Sequence, residues 1–82
     1  MVVIWGIPNC GFCEKAKAIC EQYELKHEYV EVDDIVKLND LRNILPDFKT
    51  FPQIFWNNKH VGGYTELATE IENTRNFGQD TI

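Results

Sequence analysis

Apolar and polar positions along this chain follow two alternating periods. Val2-Val3-Ile4-Trp5 is a β-branched and aromatic run stopped by Gly6 and Pro8, which predicts a buried strand followed by a turn. From Gly11 the period lengthens to 3.6. Ala16, Ile19, Cys20 and Tyr23 recur at i, i+3, i+4 and i+7 while Glu14, Lys15, Lys17 and Glu21 face away, predicting a helix to about Glu24. Tyr29, Val30 and Val32 form a second short strand. Asp33 or Asp34 can cap a helix whose Ile35, Leu38, Leu41 and Leu45 share one face, and Pro46 terminates it. Lys49-Thr50-Phe51-Pro52 then leads into Ile54-Phe55-Trp56, and Asn57-Asn58 separates that run from Lys59-His60-Val61, a two-residue hairpin signal closed by Gly62-Gly63. Thr65 is a good N-cap for a last helix carrying Leu67, Ala68 and Ile71, with Gly78 just past its end and 78–82 a frayed tail.

The predicted order is β-α-β-α-β-β-α. Its first crossover makes a parallel pair and its hairpin adds antiparallel strands, so an α/β fold with a four-stranded mixed sheet and three flanking helices is expected. At 82 residues the chain is one domain, 1–82, with a single core. Apolar residues at 44% and charged residues at 26% describe an ordinary soluble mixture. The longest apolar stretch, Met1 to Trp5, is far too short for a bilayer, so no membrane association is expected and a cytoplasmic protein is. A net charge of -5 with no block of Lys and Arg argues against nucleic acid as a partner.

Three cysteines are an odd number, unlike a secreted disulfide scaffold, so the cysteines read as chemical. Cys10-Gly11-Phe12-Cys13 lies where the first strand hands over to the first helix, which puts Cys10 at the helix mouth among free backbone N–H groups. At such positions a cysteine pKa can fall from ~8.5 to roughly 3.5–7.5. Cys10 is therefore the candidate nucleophile, and Cys13, one turn into the helix, suits the resolving role. The competing reading is a zinc site completed by Cys20 and His27 or His60. On a continuous helix Cys20 lies about 10 Å along the axis from Cys13, too far for ligands that converge within ~2.3 Å of one ion, so no metal is expected. Cys20 falls on the apolar face as a small buried hydrophobe, and His27 and His60 read as surface residues.

Three separated motifs, Cys10-Gly11-Phe12-Cys13, Thr50-Phe51-Pro52 and Gly62-Gly63-Tyr64-Thr65-Glu66-Leu67, agree in kind, order and spacing with one family. Along nearly its whole length the chain resembles the glutaredoxins, which share the thioredoxin-like fold. The resemblance implies that Pro52 is cis and faces the active-site cysteine, with the backbone of Phe51 pairing with glutathione. It implies that Gly63, Tyr64, Thr65 and Glu66 receive the γ-glutamyl end, the helix start taking the carboxylate and the acidic side chain the amine. Lys49 matches a position where relatives often carry a basic residue, and Arg42 is a further candidate. The chain departs from the family at Ile7, where a Lys often serves the glycine carboxylate.

The activity so implied is glutathione-dependent thiol–disulfide exchange on protein disulfides and glutathione mixed disulfides. Glutathione is then the co-substrate, no bound cofactor is needed, and the protein works as a monomer. Ribonucleotide reductase is among the targets of the family. Gly11-Phe12 is similar to the monothiol subfamily, whose Cys-Gly-Phe-Ser motif has serine where Cys13 stands. That likeness raises a rival reading, a [2Fe-2S] carrier ligated by two Cys10 thiolates and two glutathiones. A second rival is a thioredoxin-like reductant served by a flavoenzyme.

Overall fold

A computed structural model describes the backbone of residues 1–80 and the side chains of residues 1–74. Among the described residues the order is β1 (Val2–Gly6), α1 (Gly11–Gln22), β2 (His27–Glu31), α2 (Ile35–Ile44), β3 (Gln53–Trp56), β4 (Lys59–Gly62) and α3 (Tyr64–Asp80). The strands form one mixed sheet in the order β2-β1-β3-β4. β1 runs parallel to β2 with Ile4 opposite Tyr29, and antiparallel to β3 with Ile4 opposite Ile54. This is the thioredoxin-like arrangement that the order of elements predicts.

Alternation along β1 turns Val2 and Ile4 to one face, where both are fully buried. They pack with Ala16 and Cys20 of α1, Ile54 of β3, and Leu67 and Ile71 of α3. Ile19 and Tyr23 pack against this cluster, so the helical face read from the sequence is the face that is buried. The helix ends at Gln22, two residues before the expected Glu24: Tyr23 is the C-cap of α1, and Glu24 takes a left-handed φ of 54°. β2 begins at His27, two residues before Tyr29, because pairing with β1 carries it on regardless of side-chain character.

The second helix departs most from its pattern. Asp34 is the N-cap, its Oδ1 accepting from the Lys37 backbone N–H at 2.9 Å. Of the predicted face only Leu41 is buried, Leu38 and Leu45 are half-buried, and Ile35 is 65% exposed. A ten-residue helix that packs through its middle turn leaves its first turn uncovered.

The hairpin turns through Asn57 and Asn58, both with positive φ of 51° and 67°, as a two-residue connection requires. A register shift at Ile54/Phe55 sets Ile54 opposite Gly62 and Phe55 opposite His60. α3 opens at Tyr64 rather than after Thr65. The Gly63 carbonyl accepts from Leu67 N–H at 3.0 Å, and the Gly63 N–H donates to Glu66 Oε1 at 2.7 Å. The first is the opening turn of the helix, and the second is the acidic half of a capping box, with Glu66 reaching back to the N–H of Gly63 at the N-cap position. α3 continues two residues beyond Gly78, where the sequence predicts its end, since one glycine costs a helix only about 1 kcal/mol. The expected frayed tail over 78–82 falls partly on 81 and 82, outside the described residues.

Candidate active site

β1 ends at Gly6, and the chain turns through Pro8 and a left-handed Asn9 (φ 58°) into Cys10. Cys10 is the N-cap of α1 with extended backbone, φ -114° and ψ 111°. Its carbonyl accepts from Glu14 N–H at 3.1 Å, and its Sγ accepts from Cys13 N–H at 3.2 Å. A sulfur is thus held where a capping oxygen usually sits, with a backbone donor aimed at it, and such a place favours negative charge on the sulfur.

Cys10 and Cys13 form a disulfide with their Cα atoms 5.2 Å apart, within the span such a bond bridges. Exposure separates the two sulfurs. Cys10 is half-buried, while Cys13 is fully buried. An incoming thiolate meets Cys10 first. Cys20 remains a free thiol inside the core, and burial pushes its pKa up. The rival zinc set does not form: among the described residues no three His, Cys, Asp or Glu side chains converge on a common point.

The Phe51–Pro52 peptide bond is cis, and Pro52 is buried. An open hollow of about 170 Å³ brings Thr50, Phe51, Pro52, Gly63, Tyr64, Thr65 and Glu66 together with Phe12. Seven of the eight predicted binding residues therefore line one space. Lys49, the eighth, is exposed and does not line it. Arg42 packs its guanidinium 5.9 Å from the Phe48 ring centre instead of entering the hollow. Phe12 joins the wall because its ring lies 6.2 Å from that of Tyr64, with the Lys15 ammonium 5.1 Å from the Phe12 ring centre. Only the position of Phe12 between the two cysteines could have marked it in the sequence.

Ile7 lines a second hollow, of about 360 Å³, with Val32, Asp33, Asp34, Ile35, Leu38 and Phe51. Phe51 is a wall of both spaces. Behind the proline loop lies Gln53, 6% exposed and the sole buried polar side chain among the described residues. Its Nε2 donates to the Thr50 carbonyl at 2.8 Å and reaches Thr50 Oγ1 at 3.3 Å. Its Oε1 lies 2.8 Å from His60 Nε2, which must carry the proton, because the Gln53 amide nitrogen is turned to Thr50. His60 is exposed as the sequence suggests, yet it is tied to the loop through Gln53. His27 is half-buried, its Nδ1 2.9 Å from the Leu25 carbonyl.

The Glutaredoxin family model matches residues 2–61, which include the cysteine pair and the cis-proline loop. Glutaredoxin 1 of Rickettsia bellii is 40% identical over 70 residues, covering 80% of this chain and 71% of that protein. Glutaredoxin 1 of Escherichia coli strain K12 is 30% identical over 77 residues, covering 85% and 91%. The crystal structure of glutaredoxin 1 from Francisella tularensis superposes with a TM-score of 0.76 at 26% identity, over 92% of this chain and 95% of that one. Likeness in sequence and in backbone thus converges on a single kind of thiol–disulfide oxidoreductase, and the chain belongs to the glutaredoxin family.

Proposed function

We propose that the protein reduces protein disulfides and glutathione mixed disulfides at the expense of glutathione, with Cys10 attacking and Cys13 resolving. The observation that carries this reading is the unequal setting of the two sulfurs, one half-exposed at a helix cap and the other enclosed. The Cys10 thiolate attacks the substrate disulfide and expels one substrate thiolate, leaving a mixed disulfide on Cys10. The Cys13 thiolate then attacks Cys10 Sγ and expels the second substrate thiolate, which closes the Cys10–Cys13 bond. Two glutathione thiols reopen it in sequence, each step exchanging one S–S bond for another, and leave as glutathione disulfide. For a glutathionylated substrate, a glutathione thiolate can take the place of Cys13. Thiol chemistry alone closes the cycle.

Glutathione fits the first hollow by charge. Its γ-glutamyl carboxylate meets the opening N–H groups of α3 at Tyr64 and Thr65, and its ammonium meets Glu66. Phe51, next to the cis bond, offers its backbone to the peptide part, with Thr50, Pro52 and Gly63 as the remaining walls. Lys49 stands outside the hollow and contributes at most long-range attraction, screened beyond about 10 Å. Glutaredoxin potentials of roughly -200 to -230 mV lie near the glutathione pool, so the exchange runs in either direction as that pool changes. A monomer suffices for every step.

The test is reduction of a glutathionylated peptide by wild type, Cys10→Ser and Cys13→Ser, with a flavoenzyme recycling glutathione. Wild type and Cys13→Ser are expected to turn over, and Cys10→Ser to fall by at least about a thousandfold, the scale of losing a covalent nucleophile. A wild type inert with glutathione but reduced directly by a flavoenzyme overturns the glutathione assignment. A brown dimer on anaerobic purification replaces it with the cluster carrier.

A further inference from the structure

Tyr29 of β2 lies beside the sulfur that the exchange reaction releases. Gly6, the last residue of β1, has no side chain, and the space that its Cβ would fill is taken by the Tyr29 phenol. A methyl at Gly6 would overlap the Tyr29 hydroxyl outright, sit 2.7 Å from Tyr29 Cζ, and come within 3.0 Å of Cys13 Sγ. The hydroxyl and the inner sulfur therefore press on the same point of the backbone. Among the described residues the Tyr29 hydroxyl has no hydrogen-bond partner while the disulfide is closed, although the ring is half-buried.

Cys13 is fully buried, so when the disulfide opens its sulfur leaves as a thiolate shielded from water. A buried charge of this kind needs a donor. The groups that face the phenol are Cys13, Glu14 and Lys17 from α1 and Glu31 from its own strand; β1 presents no ionisable side chain. Lys17 holds its ammonium 4.2 Å from the Tyr29 ring centre and is anchored there by Glu14 at 2.8 Å. A cation over a phenol makes the hydroxyl a better donor.

We infer that the Tyr29 hydroxyl donates the hydrogen bond that stabilises the Cys13 thiolate as the Cys10–Cys13 bond opens. The inference rests on the resolving role proposed above for Cys13. In the opening step a glutathione thiolate bonds to Cys10 Sγ, and the electron pair of the old S–S bond departs on Cys13 Sγ. The phenolic proton stays on Tyr29 and is shared with that sulfur. A better-stabilised leaving thiolate leaves faster, and in the reverse direction more Cys13 is ionised to attack. Burial holds the Tyr29 pKa above its ordinary value, with Lys17 opposing, so the hydroxyl keeps its proton at neutral pH.

The experiment compares wild type with Tyr29→Phe, which keeps the ring and its contact with Lys17. Single-turnover reduction of the oxidised protein by glutathione is expected to slow by about tenfold, the worth of one hydrogen bond to a charged group. The Cys13 titration, followed by the ¹³Cβ shift of labelled cysteine in a Cys10→Ser background, is expected to rise by about one unit. Deglutathionylation by Cys13→Ser is expected to be unaffected when Tyr29→Phe is added, because that cycle never releases a sulfur at position 13. Unchanged opening rate and titration overturn the inference, as does an equal slowing of the Cys13→Ser reaction. Activity surviving in Cys10→Ser would instead overturn the assignment of the cysteines.

Discussion

Ile7 stands three residues before Cys10, the proposed nucleophile, in a hollow with two aspartates and no cationic lining residue. The carboxylate at the glycine end of glutathione gains nothing from such a wall. Ile7→Lys is therefore expected to lower KM for glutathione by up to about fivefold with kcat little changed, the worth of an exposed charge pair. A steady-state titration of glutathione against a fixed glutathionylated peptide checks it. At this scale the sequence was legible wherever chemistry and spacing coincide: Cys10 caps the first helix and is bonded to Cys13, and the Phe51–Pro52 bond is cis, as the motifs predict. Gln53 and Tyr29 were not legible, because a polar residue opening a strand and an aromatic residue within one are also what plain strands contain. Their roles come from partners distant in the chain, Gln53 joining Thr50 to His60 and Tyr29 meeting Cys13 across Gly6.

Between elements, Gln53 works as a tie linking β3, β4 and the cis-proline loop. Gln53→Leu keeps the volume and removes both ends of the tie. It is expected to cost about 1 kcal/mol for the lost hydrogen bonds, or roughly 4–8 °C in Tm for a domain this small. It is also expected to raise KM for glutathione more than it lowers kcat, since Thr50 lines the hollow while the cysteines are untouched. Thermal denaturation and the same glutathione titration provide the two readings. Strands and helices were foreseen to within a few residues because β1, α1 and the hairpin carry clean periods. The start of α3 was missed for a local reason: a hydroxyl at Thr65 and a carboxylate at Glu66 are both capping groups, and the structure uses the carboxylate. The uncovered first turn of α2 was hidden in turn, since periodicity reports which residues share a face and not whether anything covers it.

At the scale of the whole molecule, the shifted titrations among the described residues share one sign. Cys20 and Tyr29 are raised chiefly by burial, and Lys17 chiefly by its hydrogen bond with Glu14. A raised folded pKa means that the native state holds its proton more tightly than the unfolded chain. The stability it lends is complete below the unfolded value and is lost as pH rises through the folded one. Urea midpoints are thus expected to hold near neutrality and to fall above the ordinary cysteine value of 9.0. Cys20→Ala should lower the midpoint at neutral pH yet flatten the alkaline decline; an equally steep decline would clear Cys20 of any part in it.

The cysteine loop and the cis-proline loop come from chain segments some forty residues apart and meet because β1 and β3 lie side by side in opposite directions. Since side chains alternate with a period of two, sliding β3 along β1 by two residues would return every apolar group to its own face. The same slide would carry Pro52 about 7 Å away from the cysteine loop, at ~3.4 Å per residue. The hydrophobic pattern alone is thus equally content with a folded but inactive alignment. The discrimination falls to Asn57 at the far end of the pair: its N–H donates to the Met1 carbonyl at 3.0 Å, and that bond is the ruler that sets how far the cysteine loop lies from the proline.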